Sequence, residues 1–182
     1  MYEGWDPRRP GWICPKCGFD YDATPPAGAV GLLASLLPGY QRHLLSASAD
    51  LRARSEPDVW SALEYACHVR DCLALYEWRI GKALAEDHPV FPQMRRDAVV
   101  IERAYNEQDP TLVLEEMTVN YERLADLLGQ VKGDQWARTG IREGEELSVA
   151  WMAVNTIHEA RHHLMDIDNV VVRLAEQAEG GG

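Results

Sequence analysis

The sequence predicts an all-α protein: a four-helix bundle with a long crossover and an irregular N-terminal arm. Three observations carry this. Four stretches repeat apolar residues at the three- and four-residue spacing of an amphipathic helix. Strand-like alternation is scarce. Residues 1–27 are aperiodic and rich in glycine, proline and aromatics. The arm is therefore assigned to 1–27, the bundle to 28–178 and a disordered tail to 179–182.

The elements follow in order. "AVGLLASLLPGYQRHLLSAS" (29–48) is helical in period, with Pro38 able to kink the helix or begin its second half. Ser61 and Glu64 have capping-box spacing and open a helix over about 61–86. "DHPVFP" ends it, and residues 94–107 read as a short helix within a long crossover. Asp109-Pro110 is a helix start, and the third long helix runs to about 131. "GDQWARTGIREGEELS" is a polar turn region with room for a small hairpin. Ser148 caps the last helix, which is expected to reach about 176.

Composition narrows the function classes. The chain has 182 residues, 46% hydrophobic and 26% charged, enough for one domain with a sizeable core. A net charge of −11 argues against nucleic acid and against an anionic membrane surface, both of which need clustered Lys and Arg. No apolar run approaches the roughly 20 residues of a membrane span. "MYEGWDPRRPGW" lacks the apolar core of a signal peptide. A cytoplasmic location is the expectation, and there four cysteines are metal ligands or free thiols sooner than disulfides.

The most informative stretch is "HEARHH" (158–163) in the last helix. Residues four apart share a helix face, so it offers two pairs, His158 with His162 and Glu159 with His163. Ala153, Ile157, Ala160, Leu164, Ile167, Val171 and Leu174 mark the apolar seam. At about 100° per residue, Glu159 and His163 fall on its flank, roughly 70–110° from the centre. His158 and His162 fall nearly opposite, toward solvent or whatever covers that side. In the second helix, His68 lies about 100° from the apolar stripe, with Cys72 one turn later and Cys67 pointing away. His68, Glu159 and His163 can converge as a three-ligand, open-sided site for Zn²⁺, Ni²⁺ or Fe²⁺. The bland alternative is a charged helix face bearing histidines by chance. His43 and His88 have no partner spacing and read as surface and loop.

Cys14-x2-Cys17-Gly18 in the arm is half a zinc knuckle. The outward His158 and His162 complete a Cys2His2 set, which would clip the arm onto the bundle with a structural zinc. Cys67 is a possible substitute ligand. Otherwise the arm is held by Trp5, Trp12 and Phe19 packing, with reduced thiols.

"WSALEYACHVRDCLALYE" (60–77) and "HEARHHLMDI" (158–167), with "NEQDP" and "GDQWARTG" between them, resemble the DinB-like superfamily. More narrowly, they resemble its actinobacterial branch related to mycothiol-dependent maleylpyruvate isomerase. The resemblance covers about residues 29–175. It implies a DinB-like four-helix bundle holding a divalent metal, zinc first with nickel or iron as alternatives. The family pattern puts Asp or Gln three residues after the last histidine; Asp166 selects His163, and hence Glu159, while the His158/His162 register stays open. Cys72 departs from the usual aliphatic residue and is read as core sooner than ligand. Known members are S-transferases or isomerases that use a low-molecular-weight thiol. The implied partners are a mycothiol-type thiol and a small electrophile, with no nucleic acid or membrane, and a homodimer is plausible. The metal would lower the thiol pKa, and Arg138 and Arg142 would bind an anionic substrate group or, as the simpler alternative, be two solvated loop arginines. Two competing functions are a non-enzymatic stress-related metal or small-molecule binding protein, and a structural dimer formed through Trp78 and Trp151.

Overall fold

The four amphipathic segments are helices, and their ends follow the local chemistry written in the chain. A computed structural model describes residues 11–46 and 50–180. Trp5, residues 47–48 of the first expected helix and residues 181–182 of the expected tail lie outside the described residues.

Helix α1 spans Ala29–Leu44 and continues through Pro38. Helix α2 spans Ala62–Ala85 and opens on the expected capping box, in which Ser61 Oγ accepts from the Glu64 amide and Glu64 accepts from the Ser61 amide. The same carboxylate binds Arg54 at 2.6 Å, which fixes the loop ahead of the helix. A short α3, Arg96–Glu102, lies in the connection to α4, Pro110–Gln130, which Asp109 caps through the Thr111 and Leu112 amides. Strands β1, Thr139–Arg142, and β2, Glu145–Ser148, form a hairpin. Its two loop residues, Glu143 and Gly144, both have positive φ, as a type I′ turn requires. Ser148 Oγ then accepts from the Trp151 amide at the start of α5, Val149–Gly180, so residues 179–180 are helical and not part of a tail.

Helix α1 packs against α4 and α5, and α2 packs against the same two, while α1 scarcely touches α2. The ring order is therefore α1, α4, α2, α5. The connections that cross the bundle are 45–61 and 131–148. The sequence suggested a crossover between the second and third long helices instead, but α2 and α4 are neighbours. The length of 86–109 goes into local packing. Val90 and Ile141 form a parallel bridge, in which Phe91 N donates to Ile141 O and Ile141 N donates to Pro89 O, both at 2.7 Å. Gly140 admits the Phe91 ring where a Cβ would collide with it at 2.1 Å.

Leu63, Ile80, Met117, Leu124, Met152 and Ile167 are fully buried at the centre. Each contributes roughly 1.5–3 kcal/mol by leaving water. On the first half of α5 the burial runs almost all the way round, because the arm lies over the side that faces away from the bundle seam. No helix among the described residues is long and apolar enough to cross a membrane.

Candidate metal centre

Helix α2 carries His68 on its seventh residue, and α5 carries Glu159 and His163 one turn apart. The packing of α2 on α5 brings them together. His68 Nε2 is 3.5 Å from Glu159 Oε2, and His163 Nε2 is 3.4 Å from the same oxygen. The two imidazoles meet edge to face, with ring centroids 4.9 Å apart. Cys72, one turn after His68, points its Sγ at His68 Nε2 from 3.4 Å. One ligand atom each from His68, Cys72 and Glu159 lies within 4.8 Å of the other two. The sequence reading of Cys72 as a core residue is right about its burial but missed its direction: the thiol faces the donors.

The surroundings hold these groups in place. His163 Nδ1 lies 2.9 Å from Asp166 Oδ2, which orients the ring with Nε2 toward Glu159. Trp60 stands against the His68 ring at 5.3 Å, and Tyr65 stacks on His163 at 5.2 Å. From α1, Tyr40 donates to the Ala160 carbonyl at 2.6 Å and braces α5 between its two pairs. His68 is 1% exposed, whereas the Glu159 side chain is 22% exposed, so the triad opens to solvent on the carboxylate side.

In the metal-free protein the two histidines and the carboxylate between them shift one another in mutually supporting directions. Burial opposes the His68 imidazolium, but Cys72 and Glu159 outweigh it and carry the pKa up to about 9. Burial likewise opposes the charged form of His163, and Asp166 and Glu159 raise it to about 8. For Glu159, burial pushes upward, yet hydrogen bonds from His163 and His68 hold the carboxyl well below its usual range. His68, Cys72 and Glu159 bring one ligand atom each close enough to share a divalent ion, and His163 adjoins the group through Glu159.

His158 and His162 go elsewhere. His162 Nδ1 is 3.4 Å from Cys14 Sγ, and His158 sits among the rings of Phe19 and Tyr21, at 5.4 and 5.3 Å. One ligand atom from each of Cys14, Cys17, His158 and His162 lies within 4.8 Å of all the others. Burial lowers His158 to about 4 and also lowers His162. It raises Cys17 to about 11. Cys67 is remote from this group; its Sγ faces Tyr105 O and Gln108 Oε1, each at 3.7 Å, so the idea that it substitutes for an arm ligand is corrected.

Of the two arginines, Arg138 needs correction. Arg138 is consumed by the end of α2, donating to Ala83 O and Glu86 O at 2.7 Å each, so it closes a helix and is not available to a substrate. Arg142 lies over Trp151 at 6.0 Å, with its side chain 28% exposed. Trp151 in turn stacks on Tyr21 at 6.4 Å, while Trp78 is 43% exposed. His43, read as a partnerless surface residue, lies 2.7 Å from Asp168 Oδ1 and ties α1 to α5. His88 is a loop residue, as expected, beside Asp87.

Sequence reasoning missed a polar chain behind the site. Tyr21 donates to Asn155 Oδ1 and Asn155 Nδ2 donates to the Tyr76 hydroxyl, both at 2.7 Å. Asn155 lies one turn before Glu159 on α5, a spacing that could have drawn attention to it. Nothing in the sequence pairs it with Tyr21. A groove of about 770 Å³ includes Arg70, Asp71, Arg103 and Glu116 in its wall and none of the donors above. Its arginines are paired with its acids, Arg70 with Asp71 and Glu116, and Arg103 with Asp71.

No curated protein matches the chain by sequence. Among solved structures, the fold is similar to YfiT from Bacillus subtilis, described as a probable metal-dependent hydrolase with an unusual four-helix bundle topology. That match has 16% identity, covers 82% of this chain and 87% of the other, and has a TM-score of 0.75. It is also similar to the mycothiol-dependent maleylpyruvate isomerase, with 15% identity, 81% of this chain covered and a TM-score of 0.64. This chain spans 62% of the isomerase's length. At such identities the likeness concerns the fold. The sequence itself matches the family model of the DinB superfamily over residues 40–167, from the last turns of α1 past His163 on α5, and on that match the chain belongs to the DinB superfamily.

Proposed function

We propose that this protein is a metal-dependent enzyme that uses a low-molecular-weight thiol of the mycothiol type to transfer sulfur to, or isomerise, a small electrophile. The observation that carries this reading is the convergence of His68 Nε2 and His163 Nε2 on Glu159 Oε2, at 3.5 and 3.4 Å. Two imidazoles and one carboxylate leave positions for exogenous groups, the pattern of Lewis-acid sites for zinc, with nickel or iron as alternatives. A divalent ion held by His68, Glu159 and His163 would lower the pKa of a neighbouring thiol and polarise a carbonyl.

The chain's own groups supply the rest. Asp166 keeps the His163 proton on Nδ1 and so keeps Nε2 available as a donor. Glu159 Oε1, the oxygen turned away from the two inner histidines, is the acceptor for the thiol proton. Trp60 and Tyr65 wall the site with ring faces and limit water around the nucleophile. The thiolate electron pair then forms a C–S bond, displacing a leaving group or adding to a double bond. Of the similar solved structures, one is described as a probable metal-dependent hydrolase and the other as mycothiol-dependent, which supports metal and thiol chemistry on this fold.

Cys72 favours a second reading. Its Sγ, 3.4 Å from His68 Nε2, would complete a four-donor shell, which suits a non-enzymatic metal-binding protein. Protein loaded with zinc, nickel or iron(II) and given a mycothiol-type thiol, assayed both for loss of free thiol and for thiol-dependent isomerisation of small electrophiles, separates the two. Thiol consumption or isomerisation that disappears in His163→Ala supports the enzyme. Tight metal binding without turnover of thiol or of water supports the second reading, and a protein that takes up no metal at this triad sinks both.

A further inference from the structure

The arm residues Cys14 and Cys17 and the outer histidines of α5 take no part in the proposed chemistry, yet they form the most complete ligand set among the described residues. We propose that Cys14, Cys17, His158 and His162 bind a structural zinc ion that clips the N-terminal arm onto α5, separate from the bundle metal and independent of it.

The distances suit zinc. With Zn–S near 2.3 Å and Zn–N near 2.0–2.1 Å, a tetrahedral site has edges of roughly 3.3–3.8 Å between ligand atoms. Cys14 Sγ and His162 Nδ1 are 3.4 Å apart, and all four ligand atoms fall within 4.8 Å of one another, so closure needs shifts of about 1 Å. Two thiolates neutralise the dication, and an S2N2 tetrahedron with no open position is a structural zinc pattern.

The backbone is already shaped for it. Cys14 O accepts from the Gly18 amide at 2.8 Å, and the Cys14 amide donates to Phe19 O at 2.9 Å, which folds Cys14-x2-Cys17 into a tight loop. Gly18 has φ +66°, where a side chain would be strained. Ile13 pairs with Asp20 across the base of this loop. On α5 the i,i+4 spacing turns both imidazoles to one side, and Cys14, His158 and His162 are 1%, 2% and 8% exposed. Trp12, Phe19 and Tyr21 form an aromatic shell around His158, at 6.1, 5.4 and 5.3 Å. Arg161 Nη2 donates to Cys17 O at 3.4 Å and adds a second strap.

An outer carboxylate completes the pattern. Asp166 Oδ2 lies 3.6 Å from His162 Nε2 and 2.9 Å from His163 Nδ1. Asp166 thus hydrogen-bonds the inner His163 and stands near the outer His162 beyond hydrogen-bonding distance. The clip also has a consequence for the bundle, because the arm delivers Tyr21 to Asn155 and, through it, to Tyr76.

The test is metal analysis with cobalt substitution on the full chain. Wild type is expected to bind one cobalt(II) ion with thiolate charge-transfer bands and intense tetrahedral d–d bands. These persist in His163→Ala and vanish in Cys14→Ser and Cys17→Ser. His162→Cys, which converts Cys2His2 into Cys3His, retains the metal with stronger thiolate bands, so the proposal does not depend on variants that merely unfold. Wild-type protein whose Cys14 and Cys17 react freely with a thiol reagent in the presence of excess zinc, and which gives no thiolate–cobalt bands, overturns it. So do bands that survive loss of both arm cysteines in a Cys72→Ala background, where the bundle site can contribute no thiolate.

Discussion

The two sides of helix α5 carry the same kind of ligand pair one residue out of step, and they are built for different ends. The inner side offers Glu159 and His163 to His68 across the bundle, with the carboxylate partly open to solvent. The outer side offers His158 and His162 to two thiols of the arm and is sealed by aromatic rings. The electrostatics diverge accordingly. Asp166 and Glu159 beside His163, and Cys72 with Glu159 beside His68, outweigh burial and raise them to about 8 and 9, whereas burial dominates outside and lowers His158 to about 4. Burial by itself does not set a histidine's charge; the anion within reach does. The inner side suits a site that exchanges ligands, the outer side one that holds a loop.

The largest break in this comparison is expected from His163→Ala. It removes the inner metal and all thiol-dependent turnover, while the outer metal stays, as read by metal content and activity together. Cys14→Ser does the reverse: the outer metal is lost, the arm becomes sensitive to limited proteolysis and the melting temperature falls, because binding at a structural zinc site contributes directly to folding. Asp166→Ala touches both sides at once and is expected to weaken metal binding at each by about 10–100-fold, measured by competition with a chelator. An effect on one side alone would show that the shared carboxylate serves a single site.

Proton titration of the metal-free protein sharpens the contrast further. The inner histidines have raised values, so the stability they give is complete below an unfolded value of about 6.5 and disappears as pH rises through about 8 to 9. His158 is depressed, so its neutral form supports the fold above about 6.5 and that support is lost as pH falls toward about 4. Ring-proton shifts followed by NMR should separate the two sets; a single common midpoint would erase the distinction. Tyr21→Phe is the mildest change. It deprives Asn155 of one donor at 2.7 Å and should cost about 1 kcal/mol in denaturant unfolding, with both metals retained.

Much of this was legible in the chain. Apolar spacing located the helices, Ser61 with Glu64 and Asp109 with Pro110 marked two starts, and the helical wheel separated Glu159 and His163 from His158 and His162. Those features are local, and a 100° turn per residue is enough to project them. Less legible were features that depend on which element lies opposite. Arg138 looked like an anion binder, and only the end of α2 beside it makes it a cap. Cys72 looked like a small core residue until the direction of its thiol was known.

What the sequence determined by itself was the set of helical faces and the ligand types each would present, because helix periodicity and capping act over a few residues. What only the tertiary structure decided was the partnering. The ring order α1, α4, α2, α5 brings His68 to Glu159, and the path of the arm brings Cys14 and Cys17 to the far side of the same helix. Those contacts join residues about 90 and 145 positions apart, and no local propensity reaches that far; they are chosen by whichever packing buries the most apolar surface while giving each polar group a partner.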